Sequence, residues 1–206
     1  MVASCEKNIN SKKQAEKSKP FKYFVVISLL FFVLLAVLFV KNHSAIYRTN
    51  TQLTENIYKS MMDKNNRIKV YNKAVELNNG TSANTCVYFL SEVLRMNGLN
   101  IDEHTCSTDQ LITILKNMGW KTETDYKKLK SGDICFTTDE KLNVRGVPTH
   151  TYIFMSWVKD GSYDYAYICD NQAKDYENKI LHVRNIAKVD TVKGIQKEPF
   201  SFFIYK

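Results

Sequence analysis

The sequence lacks the common signatures of metal and nucleotide sites. None of its five cysteines forms a pair with the two-residue spacing of zinc ligands, and no His-Glu-x-x-His motif is present. Its seven glycines form no phosphate-binding loop, and nothing in the chain repeats. These absences argue against a zinc enzyme and against a phosphate-loop nucleotide-binding protein. We therefore expect neither a metal nor a cofactor.

One segment lacks charge, glycine and proline altogether. It covers residues 23–40, from Tyr23 to Val40. At a rise of about 1.5 Å per residue, a helix of this length spans roughly the hydrocarbon core of a bilayer. A buried helix of a soluble protein would have a polar face or interruptions, and a cleaved signal peptide would have a small-x-small site after the apolar run. Neither is present, so we expect one transmembrane helix.

Basic residues are unevenly distributed around this segment. Six lysines lie in residues 1–22, whereas Lys41 and Arg48 are the only lysine or arginine residues in the ten positions that follow. By the positive-inside rule the N-terminal tail stays in the cytoplasm and the rest is exported, which predicts a single-pass plasma-membrane protein. The formal net charge of +8 is otherwise spread along the chain. We expect it to meet anionic wall polymers or lipid headgroups, and no nucleic acid.

The exported part divides into a stalk and a domain. Residues 41–66 are polar with apolar residues four apart, which predicts a partly helical stalk or, alternatively, a flexible spacer. Residues 67–206 carry the periodicity of a folded domain. Its first half predicts three helices, the last of which begins with the capping-box spacing of Ser107 and Gln110.

The second half of the domain changes period. After Ser131 the chain consists of short aromatic and β-branched runs separated by Gly and Asp clusters, which predicts an antiparallel, meandering sheet. Helices first and strands second indicate an α+β fold, with the N-terminal helices packed on the sheet.

Cys86 is the sharpest candidate for chemistry. It lies in the first turn of a predicted helix, where free amides and the helix dipole stabilise a thiolate and can bind an oxyanion. A structural role is the alternative, because four cysteines lie in the exported part and an even number permits two disulfides.

A thiol nucleophile needs a base and the base needs an orienting partner. Of the three histidines in the domain, His104 lies in a polar loop and His182 within a late strand, whereas His150 opens the most apolar strand. The next strand should run antiparallel to it and ends in Asp170 and Asn171. Either of these side chains is therefore expected beside His150.

Four ordered blocks resemble the CHAP and NlpC-type superfamily of papain-like peptidoglycan amidases and endopeptidases. They are residues 84–98 (NTCVYFLSEVLRMNG), 129–136 (LKSGDICF), 150–154 (HTYIF) and 168–172 (ICDNQ). The resemblance extends over roughly residues 71–206. The family often has Val-Gly after its histidine, where this chain has Thr151 and Tyr152.

The resemblance implies a papain-like fold and a set of roles. Cys86 would be the nucleophile, His150 the base, and Asp170 the orienting residue where related proteins carry Glu or Asn, with Asn171 as the alternative. It further implies candidate substrate contacts at Asn84, Tyr152 and Gln172.

Two hypotheses of different classes follow. The first is a membrane-anchored cysteine peptidase or amidase that cleaves amide bonds of peptidoglycan or its stem peptides. The second is a non-catalytic binding or assembly domain on the same scaffold, stapled by disulfides. A free, reactive Cys86 favours the first, and a Cys86 locked in a disulfide favours the second.

The lysine asymmetry generates a topology prediction. A reporter fused after Lys206 should be active outside the cell, and protease added to intact protoplasts should remove the domain. Full protection of the domain from added protease would reverse the predicted orientation.

Overall fold

The computed structural model describes residues 23–41 and 52–205, which fall in two compact units. In the first unit, helix α1 (Tyr23–Lys41) has apolar side chains that are exposed, and it is long and apolar enough to cross a membrane. This helix coincides with the apolar segment at residues 23–40. The predicted tail, residues 1–22, and residues 42–51 of the predicted stalk lie outside the described residues.

The second unit, which starts at Asn50, begins with helices. Their bounds are α2 (residues 52–62), α3 (Lys64–Leu77), α4 (Cys86–Met96) and α5 (Thr108–Asn117). Local chemistry explains two of these starts. The Asp63 carboxylate accepts amide hydrogen bonds at the start of α3, and Ser107 with Gln110 forms the predicted capping box at the start of α5.

Eight strands follow the helices. They are β1 (Lys121–Glu123), β2 (Ile134–Thr138), β3 (Pro148–Trp157), β4 (Tyr165–Cys169), β5 (Leu181–Asn185), β6 (Asp190–Val192), β7 (Ile195–Lys197) and β8 (Phe202–Tyr205). Short 3-10 helices cover Tyr126–Lys128 and Ala173–Tyr176. Six strands form one sheet in the order β1-β8-β2-β3-β4-β5, while β6 and β7 pair separately.

The observed architecture confirms the expectation of helices followed by an antiparallel sheet. Every strand pair is antiparallel, and β2 to β5 follow one another as a meander. The meander is incomplete, because the C-terminal strand β8 returns to lie between β1 and β2. The three-residue strands β1, β6 and β7 were not expected, since three residues are too few to show a period of two.

Apolar side chains form a cluster on each face of the sheet. One cluster joins the helices to one face through residues such as Leu90, Leu111 and Ile153. The other covers the opposite face around Tyr152 and Phe154. A sheet buried on both sides holds its strands in fixed register, so it is a rigid base for side chains at the strand ends.

The folded unit begins earlier than expected. We placed residues 41–66 in a stalk, yet Ile57 and Met61 on α2 are fully buried in the helix-side cluster. Ile57 and Met61, whose four-residue spacing suggested a thin apolar stripe, belong to the face by which α2 packs on the domain. The compact unit therefore starts near Asn50 rather than at residue 67.

A second contact fixes α2 against the turn before β2. Gly132 has φ +94°, and a Cβ built on it would lie 2.1 Å from the backbone oxygen of Thr54. The Gly132 amide also donates to the Phe154 carbonyl oxygen at 2.8 Å. Only glycine combines this backbone angle with so close an approach.

This approach predicts a difference between two glycines. Gly132→Ala should destabilise the fold by the strain of a left-handed alanine, about 1–2 kcal/mol, plus about 1–3 kcal/mol for the clash with α2. Gly161→Ala is the matched control, because Gly161 also has positive φ, at +78°, but has nothing within 4 Å of an added Cβ. Thermal unfolding of the full chain in detergent measures both. Equal losses in the two variants would contradict the docking of α2.

Candidate active site

Cys86 is the first residue of α4, as the sequence predicted. The chain reaches it through Asn84, whose φ of +57° lies in the left-handed region that Asn tolerates, and through the buried Thr85. The Thr85 hydroxyl donates to the Ser82 carbonyl oxygen at 2.8 Å, which holds the loop closed. The Cys86 side chain is half-buried, so its thiol combines a helix N-terminus with access from outside.

His150 lies beside Cys86 and is buried. Its Nε2 is 2.8 Å from Oδ2 of Asp170, whose side chain is fully buried. Strand pairing explains the contact. Ile153 of β3 pairs with Cys169 of the antiparallel strand β4, so the residues that precede Ile153, including His150, lie beside the residues that follow Cys169, including Asp170. With Nε2 engaged, Nδ1 is the ring nitrogen left for the thiol.

The electrostatics favour a thiolate at Cys86. Burial alone would raise the pKa of this thiol, but the hydrogen bond and charge of His150, with backbone hydrogen bonds from Thr151 and Val87, outweigh burial and lower it. Burial likewise opposes the charged form of His150, yet its contacts with Asp170 and Cys86 raise its pKa to about 9. Thiolate and imidazolium therefore stabilise each other.

Asp170 is held as a carboxylate. Burial would raise its pKa, but the hydrogen bond to His150, the nearby His182 and the Gln172 amide lower it to about 2. Its Oδ1 accepts the backbone N–H of Gln172 at 2.8 Å, which fixes the rotamer that points Oδ2 at His150. A fixed carboxylate behind an imidazole is the orienting element of a nucleophile–base pair.

Asn171 does not take this place. Its Nδ2 donates to the Ser82 carbonyl oxygen at 3.3 Å, across to the loop that precedes α4. Of the two candidates that the sequence left open, the structure brings Asp170 to the imidazole and uses Asn171 to join two loops.

A polar cleft opens beside these loops. It has a volume of about 350 Å³ and is lined by Ser82, Ala83, Asn84, Asn171, Gln172, Lys174 and Asp175. Two of the residues expected to contact substrate, Asn84 and Gln172, are therefore brought together next to the start of α4. Oε1 of Gln172 and Oδ1 of Asn171 are buried and have no hydrogen-bond partner among the described residues.

Tyr152 does not line this cleft. We expected it to contact substrate, but it is only 1% exposed and lies in the cluster on the sheet face away from the helices. Arg184 lies over its ring, 5.5 Å from the centroid. Tyr152 alternates with Ile153 along β3, and this alternation directs it into the core. The assignment of Tyr152 as a substrate contact is corrected.

The other two histidines differ sharply. His104 is an exposed loop residue whose Nδ1 lies 2.9 Å from Oδ1 of Asp102. His182 on β5 is buried, and its Nε2 lies 3.8 Å from Oδ1 of Asp170. Sequence reasoning did not connect His182 to Asp170. The signal was present, since β5 was expected beside the strand that ends at Asp170.

The cysteines of the second unit are unpaired thiols. Cys86, Cys106, Cys135 and Cys169 are all free, with Cys106 exposed and Cys135 and Cys169 buried. Burial raises the pKa of the Cys135 and Cys169 thiols, the reverse of the direction at Cys86. Cys86 therefore combines access with a lowered pKa, which the two buried thiols do not.

Comparison with known proteins adds no relative. No family model, no curated protein and no solved structure matches the chain.

The pKa directions predict how Cys86 reacts with pH. Iodoacetamide should alkylate Cys86 at pH 6, well below the free-thiol pKa of about 8.5. His150→Ala removes the contacts that lower this pKa and leaves the burial that raises it, so alkylation at pH 6 should slow by roughly tenfold or more. Peptide mass spectrometry measures the alkylated fraction of each cysteine separately.

Two controls accompany this measurement. The exposed Cys106 on the same chain gives a reference thiol, and His104→Ala removes an exposed histidine. An unchanged pH profile of Cys86 in His150→Ala would show that the imidazole does not stabilise the thiolate.

Proposed function

We propose that this protein is a cysteine hydrolase of papain-like architecture that cleaves amide bonds of peptidoglycan at the outer face of the plasma membrane. The observation that supports it most is the arrangement of His150, which contacts the Cys86 thiol and, through Nε2, the buried Asp170 at 2.8 Å. A nucleophile, a base and an orienting carboxylate in this order are the elements of thiol amide hydrolysis.

The reaction follows from these positions. The Cys86 thiolate attacks the amide carbonyl carbon, and the carbonyl oxygen becomes an oxyanion. The amides of the first turn of α4, among them that of Val87 beside the thiol, would stabilise that oxyanion. His150 donates its Nδ1 proton to the amide nitrogen, the C–N bond breaks, and the amine leaves a thioester on Cys86.

Hydrolysis of the thioester restores the site. His150, now neutral, takes a proton from water, and the hydroxide formed attacks the thioester carbonyl. The C–S bond breaks, a carboxylic acid leaves, and the thiolate and imidazolium are regenerated. Asp170 stays ionised throughout and holds the imidazole so that Nδ1 faces the sulfur.

The wall as substrate rests on different support. The ordered blocks around Cys86, His150 and Asp170 resemble those of wall amidases and endopeptidases, and both of these classes cleave amide bonds. The apolar helix α1 would anchor the chain in the plasma membrane, with the lysine-rich tail inside and the second unit outside. The polar cleft of about 350 Å³ beside the start of α4 has room for part of a short peptide.

Three substitutions test the mechanism. Cys86→Ala and His150→Ala should each lose nearly all digestion of purified wall, because each removes a group that forms or breaks a bond. Asp170→Ala should retain more, since it removes only the orientation and charge of the base. Mass spectrometry of the released fragments gives the rate and identifies the amide that is cut.

Asn171→Ala is the matched control for Asp170→Ala, because it changes the next residue of the same loop without touching His150. It should retain more activity than Asp170→Ala. The reverse order would contradict the orienting role of Asp170. Full activity of Cys86→Ala would overturn the cysteine mechanism and favour a non-catalytic binding domain.

A further inference from the structure

Asp170 has a second histidine behind it. The carboxylate gives Oδ2 to His150, while its Oδ1 lies 3.8 Å from Nε2 of His182. His182 belongs to the neighbouring strand β5, where it pairs with Ile168, two residues before Asp170. The buried carboxylate is therefore enclosed between two imidazole rings.

The ring of His182 is fixed on two sides. Its Nδ1 lies 3.0 Å from the Lys179 carbonyl oxygen, an acceptor, so Nδ1 carries the proton. Its face stacks on the ring of Tyr176, with 3.6 Å between centroids and 15° between planes. Nε2 is buried and has no hydrogen-bond partner in the part of the chain that the structure describes. The ring face of His182 therefore lies against Tyr176, and the ring edge that carries Nε2 lies against Asp170.

On the far side of His182 lies a separate cavity. It has a volume of about 490 Å³, and His182 and Tyr176 are among its lining residues together with the strand residues Tyr167 and Val183. His182 itself is only 4% exposed and Asp170 is fully buried. His182 therefore borders both this cavity and the carboxylate, and Tyr176 lines the cavity while stacked on His182.

We propose that His182 is a positioning residue for the reaction: with Tyr176 it closes the outer cavity off from Asp170 and keeps the carboxylate dry and directed at His150. The inference rests on the proposed function of Cys86, His150 and Asp170. It assigns His182 no contact with substrate and no proton transfer.

We call the stacked pair of His182 and Tyr176 the plug. The consequence of opening the plug follows from electrostatics. In a dry site the attraction between Asp170 and the imidazolium of His150 is strong, because the effective dielectric constant is low. Water behind Asp170 would hydrogen-bond Oδ1, free the carboxylate to rotate and screen its charge. His150 would then hold its proton less tightly, and the Cys86 thiolate would lose stabilisation.

The test compares two substitutions at His182 in the full chain in detergent. His182→Ala opens the path, and alkylation of Cys86 by iodoacetamide at pH 6 should slow by roughly tenfold, the equivalent of a rise of one unit in the thiol pKa. His182→Phe lacks both nitrogens but fills the space and stacks on Tyr176, so its rate should lie within about threefold of wild type. His104→Ala is the control for loss of an exposed histidine.

The same digest reports whether each variant is folded. Cys135 and Cys169 are fully buried, so their alkylation marks an unfolded chain. If Cys135 and Cys169 are alkylated in His182→Ala, that variant is replaced by Tyr176→Ala. Tyr176→Ala opens the plug from the side of the cavity and keeps His182, so it should also slow the alkylation of Cys86. A folded variant with the plug opened and the wild-type pH profile would overturn the proposal, as would His182→Phe behaving like His182→Ala.

Alkylation requires no wall substrate, so this experiment is independent of wall digestion. If His182→Ala leaves the alkylation rate of Cys86 unchanged while Asp170→Ala slows it, only the role of His182 is refuted. If neither His182→Ala nor Asp170→Ala slows the alkylation of Cys86, the thiolate mechanism itself is refuted.

Discussion

The contact between Nε2 of His150 and Oδ2 of Asp170 is the interaction on which the rest of the site depends. Because it occupies one ring nitrogen, it determines which nitrogen faces Cys86. It also supplies the negative charge that keeps the imidazole protonated beside a thiolate. Both effects require a fixed carboxylate, and the Gln172 amide at 2.8 Å from Oδ1 provides that constraint.

The fold places these groups by combining a helix and two strands. Helix α4 packs on the sheet through buried residues such as Val87 and Leu90, which brings its first turn to the end of β3 where His150 lies. Antiparallel pairing of β3 and β4 brings Asp170 to the same end. Three residues far apart in the chain thus meet because the hydrophobic core fixes the elements that carry them.

Burial of the charged groups is costly unless each is paired. Asp170 meets this condition through His150 and the Gln172 amide, and His150 meets it through Asp170 and Cys86. Replacing His150 would leave the buried carboxylate of Asp170 without this cationic partner. His182 lies on the remaining side of the carboxylate, with its Nε2 3.8 Å from Oδ1 of Asp170.

The sequence carried much of this arrangement. The first-turn position of Cys86, the capping box at Ser107 and the antiparallel neighbours of His150 follow from local rules of helix ends and strand order. The choice between Asp170 and Asn171 did not, because adjacent residues at a strand end differ in direction and only the register decides which one faces His150.

Other features depended on tertiary contacts. Ile57 and Met61 have the same spacing in an exposed stalk as on a packed helix, so their burial required the core of the domain to be known. The return of β8 between β1 and β2 is a long-range pairing without a local signal. Tyr152 looked suited to bind substrate, yet the alternation of β3 directs it into the core.

Labelling and activity measured on the same samples test the central claim most directly. Iodoacetamide at pH 6 is applied for increasing times, and wall digestion is compared with the fraction of Cys86 alkylated. The account predicts that activity falls in proportion to this fraction and reaches zero when every chain carries the label on Cys86. Retained digestion by chains fully alkylated at Cys86 would contradict it.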